Sequence, residues 1–253
     1  MFLAGALAIV ALARPQSLRH SSAESTGIDV VFLIDVSGSM DAPDVVPTRL
    51  EAAKAVAMDY LTLRPQDRAG VVIFSTDALT LLPPTHDLAL VKRQIADLKT
   101  DVLPKDGTAL GTAIAAGIVR LEDSQSGTGM LAVLSDGGGN VGYGEPASLA
   151  AAAAARGMVV HAAAFGREGE KYDFDAGAME RIAAAGDGIF IPPNDPDAAA
   201  KLVRAAGQIA QTRKAFAQAV PVDEYPPFLA GAVFCLLAAG ALRFFTVYNL
   251  LSE

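Results

Sequence analysis

The chain has a single cysteine, Cys235, and it lies within an apolar segment near the C-terminus. An intrachain disulfide and a thiolate metal site are both excluded. Histidine is nearly as scarce. His20, His86 and His161 show no metal-ligand spacing, which argues against zinc. Positive charge is in deficit: 20 lysines and arginines against 28 acidic residues leave a net charge of −8. A general nucleic-acid binder needs a basic face, so that class is excluded, and the acidic surplus reads as a solubility device. No Walker A or GxSxG sequence is found. His161 sits in an apolar stretch and reads as a satisfied core histidine.

What the chain does have is length, 253 residues, and apolar content, 52%. That suffices for one α/β domain of about 180–200 residues with appendages. Residues 1–14 are almost wholly apolar and read as a fragment of a transmembrane helix. Twelve apolar residues are too few for a full span of about twenty. Residues 15–27 are polar and serine-rich, a linker. Residues 28–213 alternate strand and helix patterns, which predicts a doubly wound, mostly parallel α/β sheet of six strands. Residues 214–226 form a connector. Residues 227–251 are predicted as a C-terminal transmembrane helix, with Tyr225 and Tyr248 as interfacial anchors and Arg243 snorkelling.

Within the domain, the apolar run beginning at Ile28 reads as a strand buried on both faces. Thr48-Arg49-Leu50-Glu51 is a capping box that opens a helix. Gly70–Ser75 is a second buried strand. Ala78–Leu82 follows after a two-residue turn and pairs as an antiparallel edge strand, stopped by Pro83-Pro84. Helices are expected over Asp87–Lys99, after Lys105-Asp106-Gly107-Thr108, from Pro146, near Ala176–Ala185, and from Asp195-Pro196 onward. Further strands are expected at Met130–Leu134, Val159–Phe165 and Gly188–Ile191.

Function concentrates where these strands end. The first turns abruptly polar, as Asp35-Val36-Ser37-Gly38-Ser39. The Met130–Leu134 strand ends in Ser135-Asp136-Gly137-Gly138-Gly139-Asn140. Thr108 lies on the loop entering the intervening helix. In a sheet ordered by right-handed crossovers, the first strand and Met130–Leu134 can be neighbours where strand order reverses, and Asp35 and Asp136 would then face one crevice. Two carboxylates and three hydroxyls are hard oxygen donors suited to a small divalent cation. The phosphatase pattern DxDxT also begins with an aspartate at a strand end, but its second aspartate is Ser37 here, so the general acid is missing.

These residues resemble the metal-ion-dependent adhesion site of von Willebrand factor type A domains. Asp35-x-Ser37-x-Ser39, Thr108 in DGTALGTAI and Asp136 in LSDGGGN occupy all five positions in order. RPQ ahead of the domain, RLEAAK, DRAGVVIFS and the C-terminal apolar segment further resemble the Bat-type bacterial membrane proteins. The resemblance implies a non-enzymatic module that binds Mg²⁺ (or Mn²⁺) and mediates protein–protein interaction through a carboxylate from the partner. It implies Gly38, Met40, Asp106, Gly107, Gly137 and Asn140 as a partner-binding rim. It also implies other Bat-type proteins and a MoxR-type AAA+ ATPase stress and aerotolerance system as partners. The implied location is the bacterial inner membrane, with the domain on the periplasmic side. A surface adhesin or receptor would carry the same metal site and is the alternative.

Overall fold

The computed structural model describes residues 9–10, 12, 16–17, 27–100, 102–103, 107–124, 129–139, 141–167, 174–218, 222–223 and 225–251. The chain divides into two compact units, Ser25–Thr212 and a unit of both termini, Met1–Glu24 with Arg213–Glu253. In the terminal unit Gln16–Ser17 pairs antiparallel with Val222–Asp223, so the predicted linker and connector each contribute two residues of strand.

The larger unit is built on a six-stranded sheet. In chain order its strands are β1 (Asp29–Asp35), β2 (Arg68–Phe74), β3 (Ala78–Thr85), β4 (Gly129–Ser135), β5 (Val159–Ala164) and β6 (Phe190–Ile191). Their spatial order is β3-β2-β1-β4-β5-β6. All pairings are parallel except β2 with β3. The order therefore runs outward in both directions from β1 and β4. That is the topological switch point, where ligands bind in open α/β sheets. Register places Ile34 opposite Leu134 and Asp35 opposite Phe74.

β1 is central because both its faces are apolar. Val30, Phe32 and Ile34 enter one core cluster, and Val31 and Leu33 enter the other. Each such side chain, taken fully out of water, contributes about 1.5–3 kcal/mol. Helices α1 (Arg49–Leu63), α2 (Leu88–Ala96) and α6 (Ala198–Gln218) cover the first face, with Ala53, Ala57, Val91, Ile95, Leu202 and Ala206 turned inward. Helices α3 (Leu110–Glu122), α4 (Pro146–Ala154) and α5 (Ala176–Ala185) cover the second, through Ala113, Ile114, Ala150, Met179 and Ile182. Gly117 lets α3 lie against the sheet, because a Cβ there would stand 2.9–3.0 Å from Leu131 and Leu33. Four of these helices, α1, α2, α4 and α5, start on side-chain caps from Thr48, Asp87, Glu145 and Asp175.

Two sequence expectations change. β3 does not stop at Pro83-Pro84 but runs through both to Thr85, with register shifts against β2. An edge strand tolerates proline because the missing N–H faces no partner. The capping box is half formed: Thr48 accepts the Glu51 N–H, but the Glu51 carboxylate bonds Lys54 Nζ at 2.6 Å instead. The C-terminal segment is one helix, α7 (Pro226–Leu251), yet among the described residues no helix is long and apolar enough to cross a membrane.

Candidate metal centre

The site is assembled at the C-terminal ends of β1 and β4. Asp35, the last residue of β1, is fully buried. One of its carboxylate oxygens accepts the Ser37 N–H at 2.9 Å, and the other accepts the Ser135 hydroxyl at 2.6 Å. The chain then enters a short 3₁₀ turn, Gly38–Asp41. Ser37 holds its N-cap position but makes no capping bond with its side chain. Its Oγ shares a hydrogen bond with Ser39 Oγ at 3.1 Å instead, so the pair of hydroxyls is turned to one place.

Asp136 follows Ser135 directly and is equally buried. Its carboxylate accepts the Gly138 N–H at 3.1 Å and one arm of the Arg49 guanidinium at 2.8 Å. Gly137 takes a positive φ of 82° and leaves no room for a Cβ beside the Asp175 carbonyl, so this turn requires glycine. Asp35 and Asp136 are close enough to oppose each other electrostatically. Burial first, and then the Asp136 charge, hold the Asp35 carboxyl well above the usual carboxylate range.

Thr108 is buried on the loop before α3. That loop is anchored on both sides of β1. Ser75, just past β2, donates its hydroxyl to the Gly107 carbonyl at 3.1 Å, and its backbone carbonyl accepts the Ala109 N–H at 2.6 Å. On the β4 side, Val141 N–H reaches the Thr108 carbonyl at 3.4 Å. Asp35, Ser37, Ser39 and Asp136 therefore converge at the switch point, and Thr108 is held on the loop that bridges it. Among the described residues no group of three or more His, Cys, Asp or Glu side chains is clustered for a metal. The donor set is instead two carboxylates with alcohols, which suits a hard cation.

Part of the expected rim is buried. Met40 is fully buried in the core cluster with Val36, because its 3₁₀ turn directs the side chain inward. Gly107 and Gly137, the chain neighbours of Thr108 and Asp136, are buried too. Gly38 is half-buried, as is Gly138, and Gly139 is exposed. Asp106 and Asn140 lie outside the described residues. Beside this rim opens a cleft of about 220 Å³ lined by Gly137, Gly139, Leu110, Glu145, Asp175 and Arg181, among others.

Sequence reasoning missed two residues of the site. Ser135 was read only as a polar strand ending, yet it holds Asp35. Arg49 was read only as part of a capping box. It is fully buried, and its other edge is bound to Asp44 through Nε at 3.0 Å and Nη2 at 2.7 Å. A signal existed: a cation in the first turn of a helix opposes the helix dipole and needs a local anion to hold it.

Residues 30–138 match the family model of the von Willebrand factor type A domain. A UPF0353 protein of Mycolicibacterium paratuberculosis is 32% identical over 162 residues, which is 59% of this chain and 48% of that protein. The chain spans less than half the length of the first curated relatives it matches, 40% and 48%. Among solved structures, the conserved hypothetical protein BatB from Bacteroides thetaiotaomicron superposes with a TM-score of 0.65 at 26% identity, covering 73% of this chain and 100% of that one. An aerotolerance-related membrane protein from Bacteroides fragilis gives a TM-score of 0.62 at 25% identity, covering 74% and 100%. The sequence match over residues 30–138, the strand order and the placement of Asp35, Ser37, Ser39 and Asp136 at the switch point all agree, and the larger unit has the fold of von Willebrand factor type A domains.

Proposed function

We propose that this domain is a binding module, not an enzyme, which holds Mg²⁺ (or Mn²⁺) through Asp35, Ser37, Ser39, Thr108 and Asp136 and uses it to capture a protein partner. The observation that carries the reading is the Ser37–Ser39 pair. The two hydroxyls stand 3.1 Å apart, and Ser37 does not use its hydroxyl as a helix cap. Each carboxylate oxygen of Asp35 and Asp136 accepts a donor yet keeps lone-pair capacity for the ion or its waters. A bound cation supplies positive charge and a coordination position for a partner's carboxylate. Titration calorimetry with MgCl₂ or MnCl₂ tests this: the wild type gives a saturable binding heat and Asp35→Ala gives none. An Asp35→Ala chain that binds the ion as tightly as wild type overturns the assignment.

The similarity to an aerotolerance-related membrane protein supports placement at a membrane; the location proposed is the bacterial inner membrane, with the domain on the periplasmic face. There it would work with other Bat-type proteins and a MoxR-type AAA+ ATPase. In spheroplasts, added protease should digest the domain; a domain protected until the cells are lysed would place it on the cytoplasmic side.

A further inference from the structure

Arg49 stands at the boundary between the metal centre and a third acid. Its guanidinium is fully buried and divided between two carboxylates: Nη1 donates to Asp136 at 2.8 Å, while Nε and Nη2 grip Asp44. The group has no freedom to swing away. The Phe174 ring lies 5.9 Å from its carbon, and at Gly166 even a Cβ would come within 3.0–3.1 Å of it. Asp44 is fixed in turn by the Arg167 N–H at 2.9 Å, and the arginine holds its carboxyl below the usual range. So rigid a cation, one hydrogen bond from Asp136, is a fixed part of the electrostatics any ion at the site would meet.

We infer that Arg49 is a positioning residue that sets the charge of the metal centre, keeping it short of negative charge so that a bound cation retains its attraction for an acidic ligand. This rests on the metal reading given above. Asp44 tunes the same charge from the far side by drawing off part of the arginine's field. Two opposite consequences follow. Neutralising Arg49 leaves Asp35 and Asp136 uncompensated, so the cation binds more tightly and the acidic ligand more weakly. Neutralising Asp44 turns the full arginine charge on Asp136, so the cation binds more weakly and the acidic ligand more tightly. A residue that merely braces the loops gives neither split, because loosening the site weakens both kinds of binding. Charge changes at this range, with an effective dielectric near 20, amount to about tenfold or more in affinity.

The experiment titrates Mn²⁺ alone, and then acetate onto the Mn²⁺-loaded protein, for the full chain and for Arg49→Gln, Arg49→Lys and Asp44→Asn. The expected result is Mn²⁺ bound at least about tenfold tighter by Arg49→Gln with weaker acetate binding. Arg49→Lys, which keeps the charge, returns toward the wild type, and Asp44→Asn shows the reverse split. Arg49→Gln binding Mn²⁺ more weakly, or unchanged, overturns the inference. If Arg49→Gln does not fold, Asp44→Asn decides: opposite changes in Mn²⁺ and acetate affinity support the role, and changes in the same direction, or none, overturn it. A wild-type chain that takes up no Mn²⁺ overturns the metal centre itself, an outcome distinct from a failure of the charge role alone.

Discussion

Ser135 ends β4 with a hydroxyl that works in two directions. It donates to Asp35 at 2.6 Å and accepts the Gly137 N–H at 3.1 Å, so it fixes one carboxylate and the turn that presents the other. Ser135→Ala leaves a buried carboxylate oxygen short of its donor and a buried N–H without that acceptor. The expected cost is about 2–4 kcal/mol of stability, read as a lower midpoint in urea denaturation, with weaker Mn²⁺ binding in calorimetry. Unchanged stability and unchanged binding would show that this bond positions nothing. Asp35, Ser37, Ser39 and Asp136 were readable in the sequence because each is a polar residue breaking out of an apolar strand. Ser135 and Arg49 were not, since a serine at a strand end and an arginine in a helix are common, and only their partners 100 and 87 residues away give them meaning. Met40 misled for the opposite reason. Its proximity to the motif suggested a rim, while the 3₁₀ turn sends it into the core.

At the scale of elements, the apolar runs told the truth wherever a strand was buried on both faces. β1, β2, β4 and β5 all fall within a residue or two of the expected bounds. The edge was harder. β3 carries a prolonged pairing through Pro83 and Pro84 that local propensity forbids in a central strand and allows only at a margin. The helix termini followed their caps: Asp87 and Asp175 accept the Leu90 and Ala178 N–H groups at 3.0 and 2.8 Å. At the opposite end of the sheet from the metal centre, Asp67 ties the elements together. It accepts Tyr60 Oη at 2.6 Å, the Arg64 guanidinium at 2.8 Å and the Ile28 N–H at 3.0 Å, joining α1, the entry to β2 and the entry to β1. Strand periodicity carries no trace of such a hub, because it depends on side chains meeting across turns. The division of labour is physical: one end of the sheet is closed by satisfied ion pairs, while the other keeps oxygen donors with capacity to spare.

For the whole molecule, acid stability turns on a group outside the site. His161 lies on β5, in register with Ala132, and is almost wholly buried. Its Nδ1 accepts the Ile189 N–H at 3.0 Å, but among the described residues its Nε2 has no hydrogen-bond partner. The expected satisfied core histidine is therefore only half satisfied. Burial pushes the imidazole pKa down to about 4 from 6.5. In the folded chain the ring stays neutral where the unfolded chain already binds a proton. Between pH 6.5 and 4 the unfolded state thus holds more protons, and His161 makes stability fall as pH falls through that window. Asp35 acts with the opposite sign, since a carboxyl raised by folding favours the folded state as it protonates. The two are separated by difference. In His161→Leu the Asp35 contribution is unchanged and the histidine contribution is gone, so the gap between the variants isolates the imidazole. Relative to its value at pH 7.5, that gap should move in the variant's favour by about 2 kcal/mol at pH 5 and about 3 kcal/mol at pH 4. Urea denaturation of both proteins across this range measures it, and a gap that does not change with pH would mean that the buried ring finds a proton acceptor or water in solution.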